Sequence, residues 1–341
     1  MNCPTVSRVP DFTYRDLSAL GVAILYNSTD DIDTFLNNGC DVNYDGVWRS
    51  EVTTECENPL FRQLGISCER QIVYAGYTPL NLATLHGTKE TVQRLLQVPG
   101  IDVDAASNYT SNPVFNAAIS GNLDILKLLV NAGASLNIKG GQVGKETTPL
   151  TAAIFSKSSP TVEYLLKSKR VDVNSKDERG WSALGIASRY GPSDIVRLLI
   201  RFGADVNQGQ SEYENTPLML AVHDPANIDS VKHLIRANAD VDKESTSGNN
   251  PLTWAAIDRN IEAIQELLKA GADINHQTKL GQTALFIATQ QDNKDIALLL
   301  IKKGADVNLL SSKGFPAAYA AVEVTNLYLS SSIDLIKVTL E

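Results

Sequence analysis

The feature that most constrains this chain is an internal period. Ser18-Ala19-Leu20 is echoed by Thr78-Pro79-Leu80, Asn112-Pro113-Val114, Thr148-Pro149-Leu150, Ser182-Ala183-Leu184, Thr216-Pro217-Leu218, Asn250-Pro251-Leu252 and Thr283-Ala284-Leu285, with a weak last copy at Pro316-Ala317-Ala318. Successive starts lie 60, 34, 36, 34, 34, 34, 33 and 33 residues apart. A second motif keeps the same phase: GCDVN (39–43), GIDVD (100–104), GASLN (133–137), GADVN (203–207), NADVD (238–242), GADIN (271–275) and GADVN (304–308). Between the two lie leucine pairs such as Leu128-Leu129, Leu198-Leu199 and Leu267-Leu268. A period of this length marks one supersecondary unit used many times over.

The clearest copy, 179–207, reads as two short helices and a turn. Ala183, Leu184, Ile186 and Ala187 have helical spacing, and Gly191-Pro192 breaks the run. Ser193 and Asp194 can cap a second helix over 195–202, with Ile195, Val196, Leu198 and Leu199 on one face. Gly203 can take the left-handed conformation that ends it. Across the copies, Thr, Ser or Asn caps the first helix, and a following Pro sits where a missing N–H costs nothing. Alanines such as Ala83, Ala117, Ala152, Ala187, Ala221, Ala255 and Ala288 let neighbouring helices approach closely. Neither helix can bury its apolar face alone, so each unit needs neighbours like itself.

These residues resemble the ankyrin repeat family. A period near 33, TPL at the first helix, a leucine pair in the second and GADVN at the end are its marks, and here they span roughly residues 14–325. The resemblance implies an all-α solenoid of about nine helix-turn-helix repeats joined by β-hairpin-like loops, elongated and curved, with stability close to a sum of repeats and neighbour interfaces. One departure stands out. The histidine of the family's common TPLH motif is absent, and its positions hold Asn81, Phe115, Thr151, Gly185, Met219, Thr253 and Phe286. The hydrogen bonds it usually makes must be replaced or lost.

The phase divides the chain. Residues 1–43 form a lead and a capping repeat, 75–308 seven regular repeats, and 309–341 a degenerate C-terminal cap ending in the apolar segment 333–340. The 60-residue step leaves an insert at 44–74. It reads as an extended surface loop, or as a lid or short extra helix built on Trp48, Phe61, Leu64 and Ile66.

Composition excludes several classes. A formal net charge of −9 weighs against nucleic acid and anionic membrane surfaces as partners. The N-terminal residues hold no signal-peptide run, and no stretch is long enough to span a bilayer. Cys3, Cys40, Cys56 and Cys68 are too few for a disulfide framework and read as free thiols, which makes a cytoplasmic location the expectation, with the nucleus as the alternative. His86, His223, His233 and His276 lie in different repeats without metal-ligand spacing, and no nucleophile–base pattern is legible, so neither metal, cofactor nor catalytic residue is expected.

What remains is surface. The resemblance implies that partners meet the hairpin tips and the exposed ends of the inner helices. The phase places Tyr77, Leu85, His86, Tyr109, Ile119, Phe155, Trp181, Arg189, Tyr190, Tyr213, His223 and Asp224 there. Glu146, Asp177, Glu178, Glu212 and Glu214 edge the middle of this stripe. The expected function is a non-catalytic protein–protein interaction scaffold, monomeric, binding through the concave face and tips a protein with basic and apolar anchor residues. An enzyme with a pocket between the insert and the groove, and an effector that captures a target protein, are the alternatives. Asn137, Asn174, Asn207, Asn275 and Asn308 follow aliphatic residues in a context that, in the family, resembles asparagine-hydroxylase substrates. A turn-forming role explains them equally well.

Overall fold

The structure, a computed structural model, describes residues 19–25, 27–43, 46–50, 73–106, 112–140, 147–210 and 212–317. Tyr109, Glu146, Phe61, Leu64, Ile66, Cys3, Cys56, Cys68 and the segment 333–340 lie outside these residues. The chain divides into two compact units, Met1–Arg179 and Gly180–Glu341.

Sixteen α-helices among the described residues fall into helix–turn–helix pairs. The first unit holds α1 (Ala19–Leu25) with α2 (Thr29–Asn37), α3 (Pro79–His86) with α4 (Lys89–Leu96), α5 (Pro113–Ile119) with α6 (Leu123–Asn131), and α7 (Pro149–Phe155) with α8 (Ser159–Lys167). The second holds α9 (Ala183–Tyr190) with α10 (Ser193–Arg201), α11 (Pro217–Ala221) with α12 (Ile228–Arg236), α13 (Pro251–Ile257) with α14 (Ile261–Lys269), and α15 (Ala284–Gln290) with α16 (Lys294–Lys302).

The repeat motif starts every first helix from α3 onward in the same way. The side chain of Thr78, Asn112, Thr148, Ser182, Thr216, Asn250 or Thr283 accepts from the backbone N–H three residues on. Each such cap contributes about 1 kcal/mol. The second helix of the clearest copy begins differently from the expectation. Pro192 precedes it without a side-chain cap, and Asp194 lies in its first turn, where a carboxylate meets the positive end of the helix dipole.

The first helices form the inner layer. In the first unit α1 packs on α3, α3 on α5 and α5 on α7; in the second α9 packs on α11, α11 on α13 and α13 on α15. The alanines expected to permit this, Ala83, Ala117, Ala152, Ala187, Ala221, Ala255 and Ala288 among them, are fully buried. Leu95, Leu129, Leu165, Leu199, Leu267 and Leu300 from the second helices fill the layer beneath. Burying each contributes about 2 kcal/mol.

The Asp and Asn of the turn motif do more than shape their own turns. In the second unit Asp205 accepts from Asn207 N at 2.9 Å, and Asn207 Oδ1 accepts from Asp240 N of the next repeat at 2.8 Å. The relay continues through Asp242 to Asp273 N, and through Asn275 to Asp306 N. In the first unit Asn43 accepts from Asp102 N at 2.8 Å and donates to Gly100 O at 2.8 Å, and Asp104 accepts from Ser135 N at 2.9 Å. One side-chain ladder therefore links turn to turn within each unit. Asn238 replaces the terminating glycine of one repeat and adopts φ 61°, as Gly203 does at 87°. Asparagine is the residue that tolerates this conformation best after glycine.

The insert leaves the repeat on a stem. Strand β1 (Gly46–Ser50) pairs antiparallel with β2 (Val73–Tyr77), Gly46 opposite Tyr77 and Ser50 opposite Val73. Its ends close into a ladder, and residues 51–72 between them lie outside the described part. The 60-residue step does not separate the first two repeats. Besides the α1–α3 packing and the Asn43 clamp, Arg94 of α4 pairs with Asp33 of α2, and that bond raises the Arg94 pKa further.

Cys40 corrects the expectation of free thiols. It is buried and disulfide-bonded, with its partner outside the described residues. A low cysteine count weighs against a framework of bridges. It does not weigh against a single one, because pairing depends on Cβ separation in the fold.

Candidate functional site

Ankyrin-type packing leaves the C-terminal ends of the inner helices and the hairpin tips facing away from the core. In the second unit, α9 ends on Arg189 and Tyr190. The Tyr190 ring stacks on Trp181, centroids 6.3 Å apart and planes 29° apart. The Arg189 guanidinium carbon lies 5.8 Å from the Tyr190 centroid. Tyr190 keeps 44% of its surface exposed, while Trp181 and Arg189 are half-buried. The repeat needs none of these three side chains, since Ser182, Leu184, Ile186 and Ala187 already make the helix and its core contacts. Together they form an amphipathic platform. Its own cation already lies near one aromatic ring.

One repeat further on, His223 is half-buried and held from the following repeat. Its Nδ1 lies 2.5 Å from Asp258 Oδ2, and its ring centroid lies 4.8 Å from that of Trp254. The Asp258 oxygen makes no hydrogen bond, so this contact is a close approach and not an aligned bond. The Trp254 indole N–H beside it is buried without a partner. Asp224 is exposed, and its carboxylate accepts from Ala226 N, capping the short 3₁₀ turn Pro225–Asn227. Tyr213 stands on a hairpin tip, 59% exposed, between exposed Glu212 and Glu214.

The first-unit residues are more scattered in character. Leu85 and His86 are exposed at the end of α3, and Ile119 is half-buried at the end of α5, which packs on α3. Surrounding protein lowers the His86 pKa by desolvation, even though the side chain keeps access to solvent. Tyr77, the last residue of β2, is half-buried. Phe155 is 4% exposed and offers a partner no surface. Its ring packs inward at the end of α7. Asp177 is likewise 5% exposed and bonds Arg179 N and its guanidinium, so it adds no free charge to the rim. Glu178 is exposed.

The five asparagines singled out in the sequence sit in the turns. Asn207 and Asn275 carry the inter-repeat ladder through Oδ1, and Asn137 Nδ2 donates to Arg170 O at 2.8 Å. Asn174 is half-buried, and Asn308 is exposed.

Sequence reasoning missed Trp254 and Leu280. Trp254 stands where the other repeats carry smaller residues such as Ala152, Ile186 and Leu220, so the criterion that picked Trp181 would have found it. Leu280 is an apolar residue on a tip, between Lys279 and Gly281, and is 61% exposed.

Among the described residues no cluster of three or more His, Cys, Asp or Glu is placed to hold a metal ion. No helix there is long and apolar enough to cross a membrane.

Paired helices, inner alanine seams and turn-to-turn hairpins define an all-α fold of ankyrin type. The family model for ankyrin repeats matches residues 55–140, 138–210 and 218–311, well over half of the chain, and the chain belongs to the ankyrin repeat family. It is 30% identical to human Rabankyrin-5 over 62% of its length and 18% of that protein's. It is 28% identical to the mouse B-cell lymphoma 3 protein homolog over 58% of its length and 44% of the relative. It is 33% identical to bovine ankyrin repeat and SOCS box protein 3, over 43% and 27%. The chain thus spans less than half the length of these relatives. Ankyrin repeats generally mediate protein–protein interaction, and proteins built from them are generally non-catalytic.

Proposed function

We propose that this chain is a non-catalytic scaffold that captures a protein partner on the inner-helix ends and hairpin tips, the surface that would be concave in an ankyrin stack. The observation that carries this reading is the Trp181–Tyr190 stack with Arg189 beside it. Exposed aromatics and arginine are the residue types that dominate binding energy at interfaces. Here they are held in a fixed arrangement that the core does not require.

The partner supplies apolar and basic anchors. The apolar anchor packs on Trp181 and Tyr190. The basic one goes to the carboxylates of Glu212, Glu214 and Asp224, because Arg189 already takes the place of a cation near Tyr190. A cytoplasmic or nuclear setting fits the interaction role. The Cys40 disulfide argues for an oxidising one, and cell fractionation decides between them.

The test is affinity purification with the wild-type chain, followed by direct binding of the recovered partner to purified variants. Trp181→Ala with Tyr190→Ala should weaken binding about thirtyfold or more, as loss of an aromatic hot spot does. Thermal unfolding should move little, since Tyr190 is substantially exposed. Unchanged affinity in the double variant would remove this site.

A further inference from the structure

The hairpin tips of the second unit form a row whose chemistry changes sign along its length. Equivalent tip positions hold Glu212-Tyr213, Thr246-Ser247, Lys279-Leu280 and Ser312-Lys313. Backbone hydrogen bonds tie them in that order. Thr246 N donates to Tyr213 O at 2.9 Å, Lys279 N to Ser247 O at 3.3 Å, and Ser312 N to Leu280 O at 2.9 Å. The side chains of the row are therefore held in register by main chain.

Tyr213 and Leu280 are the two most exposed large apolar residues among those described, at 59% and 61%. They occupy the same tip position two repeats apart. Carboxylates flank the first, Glu212 and Glu214, and amines flank the second, Lys279 and Lys313. All four charged residues are exposed, and none makes an ion pair within 4 Å among the described residues. The tip between them presents the hydroxyls of Thr246 and Ser247, the latter bonded to buried Ser245 at 2.9 Å. Solvation alone explains exposed charges on loops. It does not explain two large apolar side chains at the same position, each bracketed by charge of one sign.

We infer that this row binds an extended peptide segment of the partner with segregated charge: a basic residue and an apolar anchor at one end, an apolar anchor and an acidic residue at the other. Packed helices lie 8–10 Å apart, so two repeats span roughly 20 Å, which an extended chain covers in about six residues. That sets the spacing of the two anchors. The inference rests on the interaction reading above and extends it along the hairpin tips, from the Glu212 and Glu214 carboxylates already assigned to a basic anchor to the Lys279 and Lys313 end.

The experiment uses the full chain and two labelled peptides of about twelve residues and identical composition, read by fluorescence anisotropy. In one, lysines flank the first leucine anchor and glutamates flank the second. In the other, lysine and glutamate alternate around both. The segregated peptide should bind on the order of tenfold tighter at low salt, the sum expected of several exposed charge pairs, and lose that advantage as salt rises. Lys279→Glu with Lys313→Glu makes the row acidic throughout. It should then reject the segregated peptide and prefer one with lysines at both ends. Leu280→Ser should weaken both peptides without changing their ratio. Equal binding of the two peptides by the wild-type chain, no binding by either, or no switch in the charge variant would each overturn the inference. A Trp181→Ala, Tyr190→Ala chain that loses the native partner while the wild-type chain shows no peptide preference would overturn this inference and leave the interaction reading standing.

Discussion

Two seams, one in each unit, meet the loss of the family's histidine in opposite ways. In one seam of the first unit the position carries Phe115, and the hairpin residue against it is Gly140. A Cβ added at Gly140 would lie 2.6 Å from the Phe115 ring. In one seam of the second unit the position carries Gly185, and the hairpin supplies Gln210. A Cβ at Gly185 would lie 2.4 Å from Gln210 Oε1. One seam puts the bulk on the helix, and the other puts it on the hairpin. The chemistry differs as well. Gln210 is fully buried and accepts from Ser182 N, which returns a hydrogen bond to the helix start. Phe115 returns none. The first unit instead places its polar link one repeat earlier, where Asn81 donates to Ala105 O at 2.7 Å in a part-buried bond and accepts from buried Asn116 Nδ2 at 3.1 Å. A repeat seam is thus conserved in volume and free to vary in chemistry.

The largest effect should come from breaking the polar link. Asn81→Leu takes the 3.1 Å acceptor from the Asn116 amide, which keeps the longer contact to Thr84 Oγ1 at 3.4 Å, and removes the donor from the part-buried Ala105 carbonyl. The cost should be about 2–4 kcal/mol, read as a lower urea midpoint. Adding Asn116→Leu removes the amide that has lost its better acceptor and should restore part of the loss. A single variant within about 0.5 kcal/mol of wild type would show that the Asn pair contributes nothing net.

The size exchange predicts a smaller effect with a change of sign. Gly185 lies inside α9, where Gly→Ala is normally worth about 0.5–1 kcal/mol in favour of the helix. Against Gln210 the same change should cost about 1–2 kcal/mol, because the neighbour is a buried, bonded side chain that cannot swing away. With Gln210→Gly in the background, Gly185→Ala should become favourable. Gly140→Ala should behave in the same way against Phe115 and recover in a Phe115→Thr background. A Gly185→Ala chain more stable than wild type would mean that the seam opens without penalty, and the comparison between the units would fail.

Much of this was legible before any coordinates, and the reason is redundancy. Caps at Thr78, Thr148 and Thr216, buried alanines and the turn glycines are stated once per repeat, so each copy checks the others. What was illegible is written only once. The side chains of Phe155 and Asp177 turn inward, and no periodicity reports the direction a single residue takes. Trp254 departs from the repeat in the sequence itself, and only its place against His223 needed the fold. The continuity of the first two repeats across the insert depends on Asn43 reaching Gly100 and Asp102. That contact is long-range, and the 60-residue step concealed it. Charge on the tips was readable residue by residue, but its order along a row needed the backbone ladder from Tyr213 to Ser312.

The smallest expected effect tests whether the turn ladder is as uniform as it looks. Asn207 contributes one inter-repeat hydrogen bond, to Asp240 N, in the second unit. Asn43 contributes two in the first unit, to Asp102 N and Gly100 O, and closes a span of 59 residues where Asn207 closes 33. These bonds are solvent-exposed, so each is worth about 0.5–1 kcal/mol. Asn207→Ala should therefore cost about 0.5–1 kcal/mol and Asn43→Ala about twice that. Hydrogen exchange should show the difference more sharply than global unfolding. In Asn207→Ala the loss of protection should stay at the Asp240 turn, because packed repeats on either side still hold it. In Asn43→Ala protection should fall at Asp102 and extend into α1 and α2, which have a neighbouring repeat on only one side among the described residues. Equal, local losses in both variants would mean that the α1–α3 packing and the Asp33–Arg94 pair secure the first repeat without the turn.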